Sequence, residues 1–273
     1  MTTPALHIRN LSASVLGALL TTLIAPLAFA AAEAAQKAEH PLVPVLKIAE
    51  DGLKHIDQNV SGYTATLVKK ERIAGELSAT QTMFIKVRHK PFSVYMRFFG
   101  PKKVKDDEVI FIEGQNDGKL TARAGHGLRR RVGKLSLDPN SPLAMEGHRY
   151  PITMLGMRTL VKRLMDVGSQ ELKYDEITVN ITEGAKINGR PCTVIHATHP
   201  EPRKHFRYHV ARVFVDDELQ MPVRFEAYLW PKSSGGRPVV VEQYTYLNIE
   251  LRDDLTDKDF QPENVNYRFI DKK

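Results

Sequence analysis

From residue 63 onward the apolar residues recur every second position, and this period-two pattern constrains the fold more than any other feature of the chain. Successive side chains of an extended strand point to opposite faces, so alternation of this kind reads as strand. Residues 63–72 are rich in Tyr, Thr and Val; in 80–88, Met83, Ile85 and Val87 alternate with Thr82, Phe84, Lys86 and Arg88; in 93–99, Val94, Met96 and Phe98 alternate with Tyr95, Arg97 and Phe99. Between them stand turn signals: Ala74-Gly75-Glu76, Pro91 and Gly100-Pro101. Residues 108–113 and 119–124 flank Asn116-Asp117-Gly118, and the pattern resumes at 177–183, 193–198, 206–216, 222–230 and 239–251, with Asn188-Gly189 and Asp216-Asp217-Glu218 as turns. Short strands separated by turn chemistry predict an antiparallel meander of about ten strands.

A sheet with one wet face shows polar residues on that face. Here Phe84, Tyr95 and Phe99 lie on the side opposite Met83, Val94 and Met96. Both faces of these strands are therefore expected to be covered, the second by helices or by a bound ligand. Two segments have helical period: residues 41–56, with Val45, Ile48, Ala49, Leu53 and Ile56 on one stripe, and residues 152–167, with Met154, Met157, Val161, Leu164 and Val167. Gly168 is expected to cap the second. A loop punctuated by Pro139, Pro142 and Pro151 precedes it.

The first thirty residues describe a secretory signal. Arg9 and His7 precede an uncharged apolar run to Ala25, Pro26 interrupts it, and Ala28-Phe29-Ala30 offers small residues at the cleavage positions. The expected organisation is a signal peptide over 1–30, a tether over 31–40 and one domain over 41–273; an uncleaved N-terminal anchor is the alternative. The location expected is periplasmic or otherwise extracytoplasmic. The only cysteine is Cys192, so no intramolecular disulfide can form and stability must come from burial; Cys192 reads as a small buried hydrophobe. The formal charge is +7, which favours anionic surfaces. Arg129, Arg130 and Arg131 are the best candidates for surface contact, whereas Lys102, Lys103 and Lys105 are followed at once by Asp106, Asp107 and Glu108. No nucleic-acid motif is present.

The familiar catalytic patterns are absent: the sequence has no H-E-x-x-H, G-x-S-x-G, P-loop or C-x-x-C. The carboxylate pairs Asp216-Asp217 and Asp253-Asp254 sit in turns, where Asp bonds its own backbone. His196, His199, His205 and His209 crowd into fourteen residues, but no Cys or Glu completes a tetrahedral set and Arg and Lys surround them, so they read as surface histidines. The chain is read as neither an enzyme nor a cofactor or metal protein.

Gly62-Tyr63-Thr64-Ala65-Thr66-Leu67, Lys70-Glu71-Arg72, Lys90-Pro91-Phe92-Ser93-Val94-Tyr95, Phe99-Gly100-Pro101, Arg149-Tyr150-Pro151-Ile152, Met221-Pro222-Val223-Arg224 and Phe260-Gln261-Pro262-Glu263-Asn264 together resemble a bacterial exported family, the domain of unknown function 1571. That family in turn resembles the periplasmic lipoprotein carriers of the LolA type. The resemblance implies an α+β fold, mainly antiparallel β: a strongly curved half-barrel with helices across its concave side, closing over an apolar cavity. The candidate cavity residues are Phe84, Tyr95, Met96, Phe99, Met154, Met157 and Val161; methionine suits adaptable pockets. The function this implies is binding of a hydrophobic ligand, lipid or lipoprotein acyl chains, with an anionic membrane surface or an envelope protein as partner. The alternative is an envelope interaction module whose core is filled by its own side chains.

Overall fold

The computed structural model describes residues 39–269; the signal and most of the tether lie outside them. Twelve strands form one open antiparallel sheet, half-barrel-like, in an α+β fold. After helix α1 (Leu42–Asn59) come β1 (Gly62–Ile73), the short β2 (Glu76–Leu77), β3 (Gln81–His89), β4 (Phe92–Gly100), β5 (Glu108–Ile112) and β6 (Leu120–Arg123). A single helical turn, α2 (Gly127–Arg130), leads to β7 (Lys134–Leu137). A long loop then reaches α3 (Met157–Glu171), and β8 (Thr178–Ile187), β9 (Arg190–Thr198), β10 (Val210–Asp216), β11 (Met221–Leu229) and β12 (Val239–Leu251) complete the sheet.

The strand order is β7-β6-β5-β4-β3-β1-β12-β11-β10-β9-β8, with β2 paired to β1 alone. The chain thus steps outward from β1 to one edge, crosses the sheet through the loop and α3, and steps back from the other edge until β12 closes on β1. The strands predicted from alternation are present; β2 and β7, two and four residues long, are the additions, being too short to show a period.

One face carries the main core. Met83, Ile85 and Val87 of β3 and Val94, Met96 and Phe98 of β4 meet Ile56 of α1 and Met157 and Val161 of α3. α1 turns Leu42, Ala49, Leu53 and Ile56 inward, while Ile48 is exposed. Gly168 does not cap α3, as the sequence reading expects, but lies inside it. A Cβ there would stand 3.1 Å from Leu46 Cδ2, so the glycine lets α1 and α3 approach closely. The start of α3 is also later than periodicity suggests. Residues Ile152–Met154 form a 3₁₀ turn, and Gly156, at φ 112°, breaks the path before the helix proper. The Met157 N–H donates to Tyr63 Oη at 3.1 Å, which replaces an N-cap.

The other face of β3–β5 is covered by the C-terminal segment. Phe260, Tyr267 and Phe269 pack with Tyr95, Ile110, Ile112 and Phe84; the Tyr95 and Tyr267 rings stack at 3.8 Å. Tyr95 donates to Glu108 Oε1 at 2.7 Å, and the backbone N–H of Arg268 donates to Glu108 Oε2 at 2.8 Å, so the buried carboxylate anchors the segment. Cys192 is buried and free.

Candidate functional site

A cavity of about 460 Å³ lies between the main-core face of β1 and β3–β7 and the loop that joins β7 to α3. Leu67, Met83, Met96, Phe98, Leu120 and Leu137 are among the sheet residues that wall it; Leu143, Ala144, Ile152, Met154 and Leu155 come from the loop side. Alternation explains the sheet wall, because every second residue of each strand faces the same way. Its volume falls in the range of about 300–1,000 Å³ usual for small-molecule sites.

The seven residues singled out from the sequence divide. Met96 and Met154 line the cavity. Met157 and Val161 are buried where α3 packs on the sheet. Phe84 and Tyr95 lie on the opposite face under the C-terminal segment, and Phe99 is exposed, with the Arg97 guanidinium over its ring. Arg129 lines the cavity and donates to Glu146 at 3.4 Å; it shares α2 with Arg130, and Arg131 follows.

One end of the cavity is strongly polar, and sequence reasoning did not single it out. Glu71 of β1 and Glu242 of β12 are direct cross-strand partners, and both are buried. Like charges facing each other are unfavourable unless compensated. Lys69 supplies part of the compensation, donating from Nζ to Glu71 Oε2 at 2.8 Å and to His148 Nδ1 at 2.8 Å. Glu71 also accepts from the backbone N–H of Arg149 and from Tyr244 Oη. Glu242 accepts from Tyr150 and Tyr208; Tyr244 Oη, whose single proton goes to Glu71, stands 3.0 Å from it, with Arg149 at 3.6 Å and Arg163 at 3.8 Å. The Arg163 guanidinium lies 4.1 Å over the Tyr150 ring.

Burial alone would raise the Glu71 carboxyl, but Lys69 and the other donors outweigh it and hold the carboxyl below the usual range. Burial lowers the Lys69 ammonium, against the pull of Glu71. Burial and the neighbouring Lys69 push His148 down to about 4. Neutral at physiological pH, its Nδ1 must accept from the ammonium, so Nε2 carries the ring proton. A signal for this cluster existed: Lys69 and Glu71 continue the face of Tyr63, Ala65 and Leu67, so two charges stand on a core-facing stripe.

The histidine cluster is not a surface feature throughout. His199 is buried, its Nδ1 donating to the Tyr208 carbonyl at 2.9 Å and its ring stacked on Phe206 at 4.0 Å, with Nε2 3.3 Å from Glu171 at the end of α3. The loop between β9 and β10 folds back under α3, and no local pattern announces that. Among the described residues no group of His, Cys, Asp and Glu could hold a metal ion. Asp216 sits in its turn as expected, accepting from the backbone N–H groups of Glu218 and Leu219.

The family model described as Protein of unknown function (DUF1571) matches residues 60–269. No curated protein matches the chain. Among solved structures, lipoprotein LppX of Mycobacterium tuberculosis is similar at 13% identity and a TM-score of 0.43, covering 78% of this chain and 98% of its own. A DUF1329 family protein from Desulfovibrio piger is similar at 11% identity and a TM-score of 0.38, covering 81% and 97%. The LolA superfamily protein NE2245 from Nitrosomonas europaea is similar at 12% identity and a TM-score of 0.31, covering 78% and 97%.

Proposed function

We propose that this chain, which belongs to the DUF1571 family, is an exported, non-enzymatic protein that holds the acyl part of a lipid or of an acylated protein in its cavity. The observation that carries the reading is the cavity itself: about 460 Å³, with Leu, Met and Ala among the commonest apolar side chains of its wall, beside the main hydrophobic core. Each CH₂ withdrawn from water there contributes about 0.8 kcal/mol. Methionines at 83, 96 and 154 allow the wall to adapt to different chains.

An anionic lipid surface is the partner that fits the rim. Leu128 is 76% exposed and Val132 is 61% exposed, on either side of Arg129, Arg130 and Arg131. Apolar side chains set among basic ones suit the boundary between headgroups and acyl chains. Export rests on the signal pattern of residues 1–30, and no helix among the described residues is long and apolar enough to cross a membrane.

The test is native mass spectrometry of the protein purified without detergent, before and after incubation with a lipid extract. Acyl mass near one per chain, reduced by Ala122→Phe in the cavity wall, is the expected result. A clean apo mass that takes up no added lipid would overturn the reading.

A further inference from the structure

The polar end of the cavity has two hydrogen-bonding positions that its own network does not use, and they belong to directly paired residues of β1 and β3. Gln81 is 8% exposed and lines the cavity, and its Oε1 has no hydrogen-bond partner. An acceptor left so in a buried site costs about 1–3 kcal/mol. Lys69 is the direct cross-strand partner of Gln81 in the β1–β3 ladder. An ammonium has three donors, and two of those on Lys69 go to Glu71 and His148.

We infer that Gln81 and Lys69 form a headgroup subsite, which takes a neutral ligand group that both donates and accepts a hydrogen bond, a hydroxyl or an amide attached to the acyl chain. This rests on the acyl-binding reading above and names its ligand class. A hydroxyl would donate to Gln81 Oε1 and accept from Lys69 Nζ, filling both positions. An ester or a bare alkane has no donor for Gln81. A carboxylate has none either, and it would add a third anion beside Glu71 and Glu242. Lys69 is directed at Glu71, and Arg149 and Arg163 at Glu242, so all three cations at this end already face a carboxylate, and the missing donor for Gln81 is what separates a carboxylate from a hydroxyl here. His148 adds no cation, since Lys69 holds its Nδ1 as an acceptor.

The experiment compares three ligands of one chain length, 1-monolauroylglycerol, laurate and methyl laurate, as competitors of a fluorescent acyl probe bound to the full chain. The expected result is that the glyceride displaces the probe at about tenfold lower concentration than the methyl ester, with laurate also weaker than the glyceride. Gln81→Leu should bring glyceride and ester together. Equal displacement by all three in the unaltered protein would overturn the subsite, water then serving the two positions, while leaving acyl binding standing. Tightest binding by laurate would overturn the neutral class. Failure of the probe and of every competitor to bind would remove the acyl-binding reading and this one with it. The ranking in the unaltered protein decides the matter even if Gln81→Leu does not fold.

Discussion

Two glutamates face each other across β1 and β12 in the interior, and the residues around them show how a chain tolerates that. Glu71 is held ionised by Lys69, Tyr244 and the Arg149 N–H, and His148 is held neutral so that Lys69 has a second acceptor. Stability must then depend on pH. Between the folded value for His148 of about 4 and the usual value of 6.5, the unfolded chain binds a proton that the folded chain refuses. Stability therefore rises with pH across that window and its contribution is lost as pH falls through it. Glu71, depressed in the folded state, acts in the same direction: its contribution is present above the ordinary carboxylate range and lost as pH falls through its lowered value. We expect the thermal midpoint to rise from pH 4 to pH 6.5 and the slope to shrink in His148→Gln. An unchanged slope in that variant would show that His148 is not the titrating group.

Among the elements, the C-terminal segment does what the sequence reading assigned to helices or ligand. Its 3₁₀ turn Asp257–Phe260 has a capping box between Thr256 and Asp259, and Asp259 accepts from Lys86 at 2.9 Å while Asp257 accepts from Arg88 at 2.7 Å. Partly exposed ion pairs of this kind contribute little, so the apolar contacts must hold the segment. Phe260 is fully buried. Phe260→Ala should cost about 3–5 kcal/mol, read from the shift of a urea unfolding midpoint. Because Phe260 does not line the cavity, acyl loading per folded molecule should be unaltered. Loss of loading in folded protein would mean that the two faces are coupled through β4 and β5.

At the scale of the molecule, the connection from edge strand β7 through α3 to edge strand β8 places one wall of the cavity. The sheet remains open, so a cavity of this size does not require a closed barrel. The α2 turn contributes Arg129 to the cavity lining, exposed Val132 just after it also borders the cavity, and Leu128 within it is exposed. Replacing both Leu128 and Val132 by Asp should weaken binding to vesicles containing phosphatidylglycerol by about tenfold or more, since each such side chain buried contributes about 1.5–3 kcal/mol. Co-sedimentation at low and raised salt would measure it, with the arginine contribution falling as salt rises. Vesicle binding that survives both aspartates would place the contact elsewhere.

Strand direction and strand facing were legible in the sequence, because which way a side chain points in an extended chain is set by its immediate neighbours. Thus Met83, Ile85, Val94 and Met96 were separable from Phe84 and Tyr95 before any tertiary information. Lys69 and Glu71 were legible in principle as charges on a core-facing stripe, but their partners Glu242, His148 and Arg149 come from 78 or more positions away in the chain. Only the tertiary structure decided what covers each face: Phe84 and Tyr95 lie under residues 255–269, whereas Met96 and Met154 border a cavity. The physical reason is that burial of an apolar side chain gains about the same free energy whatever apolar partner it meets. Local pattern therefore determines that a face must be covered; which segment covers it, and where a gap is left, depends on how distant parts of the chain pack.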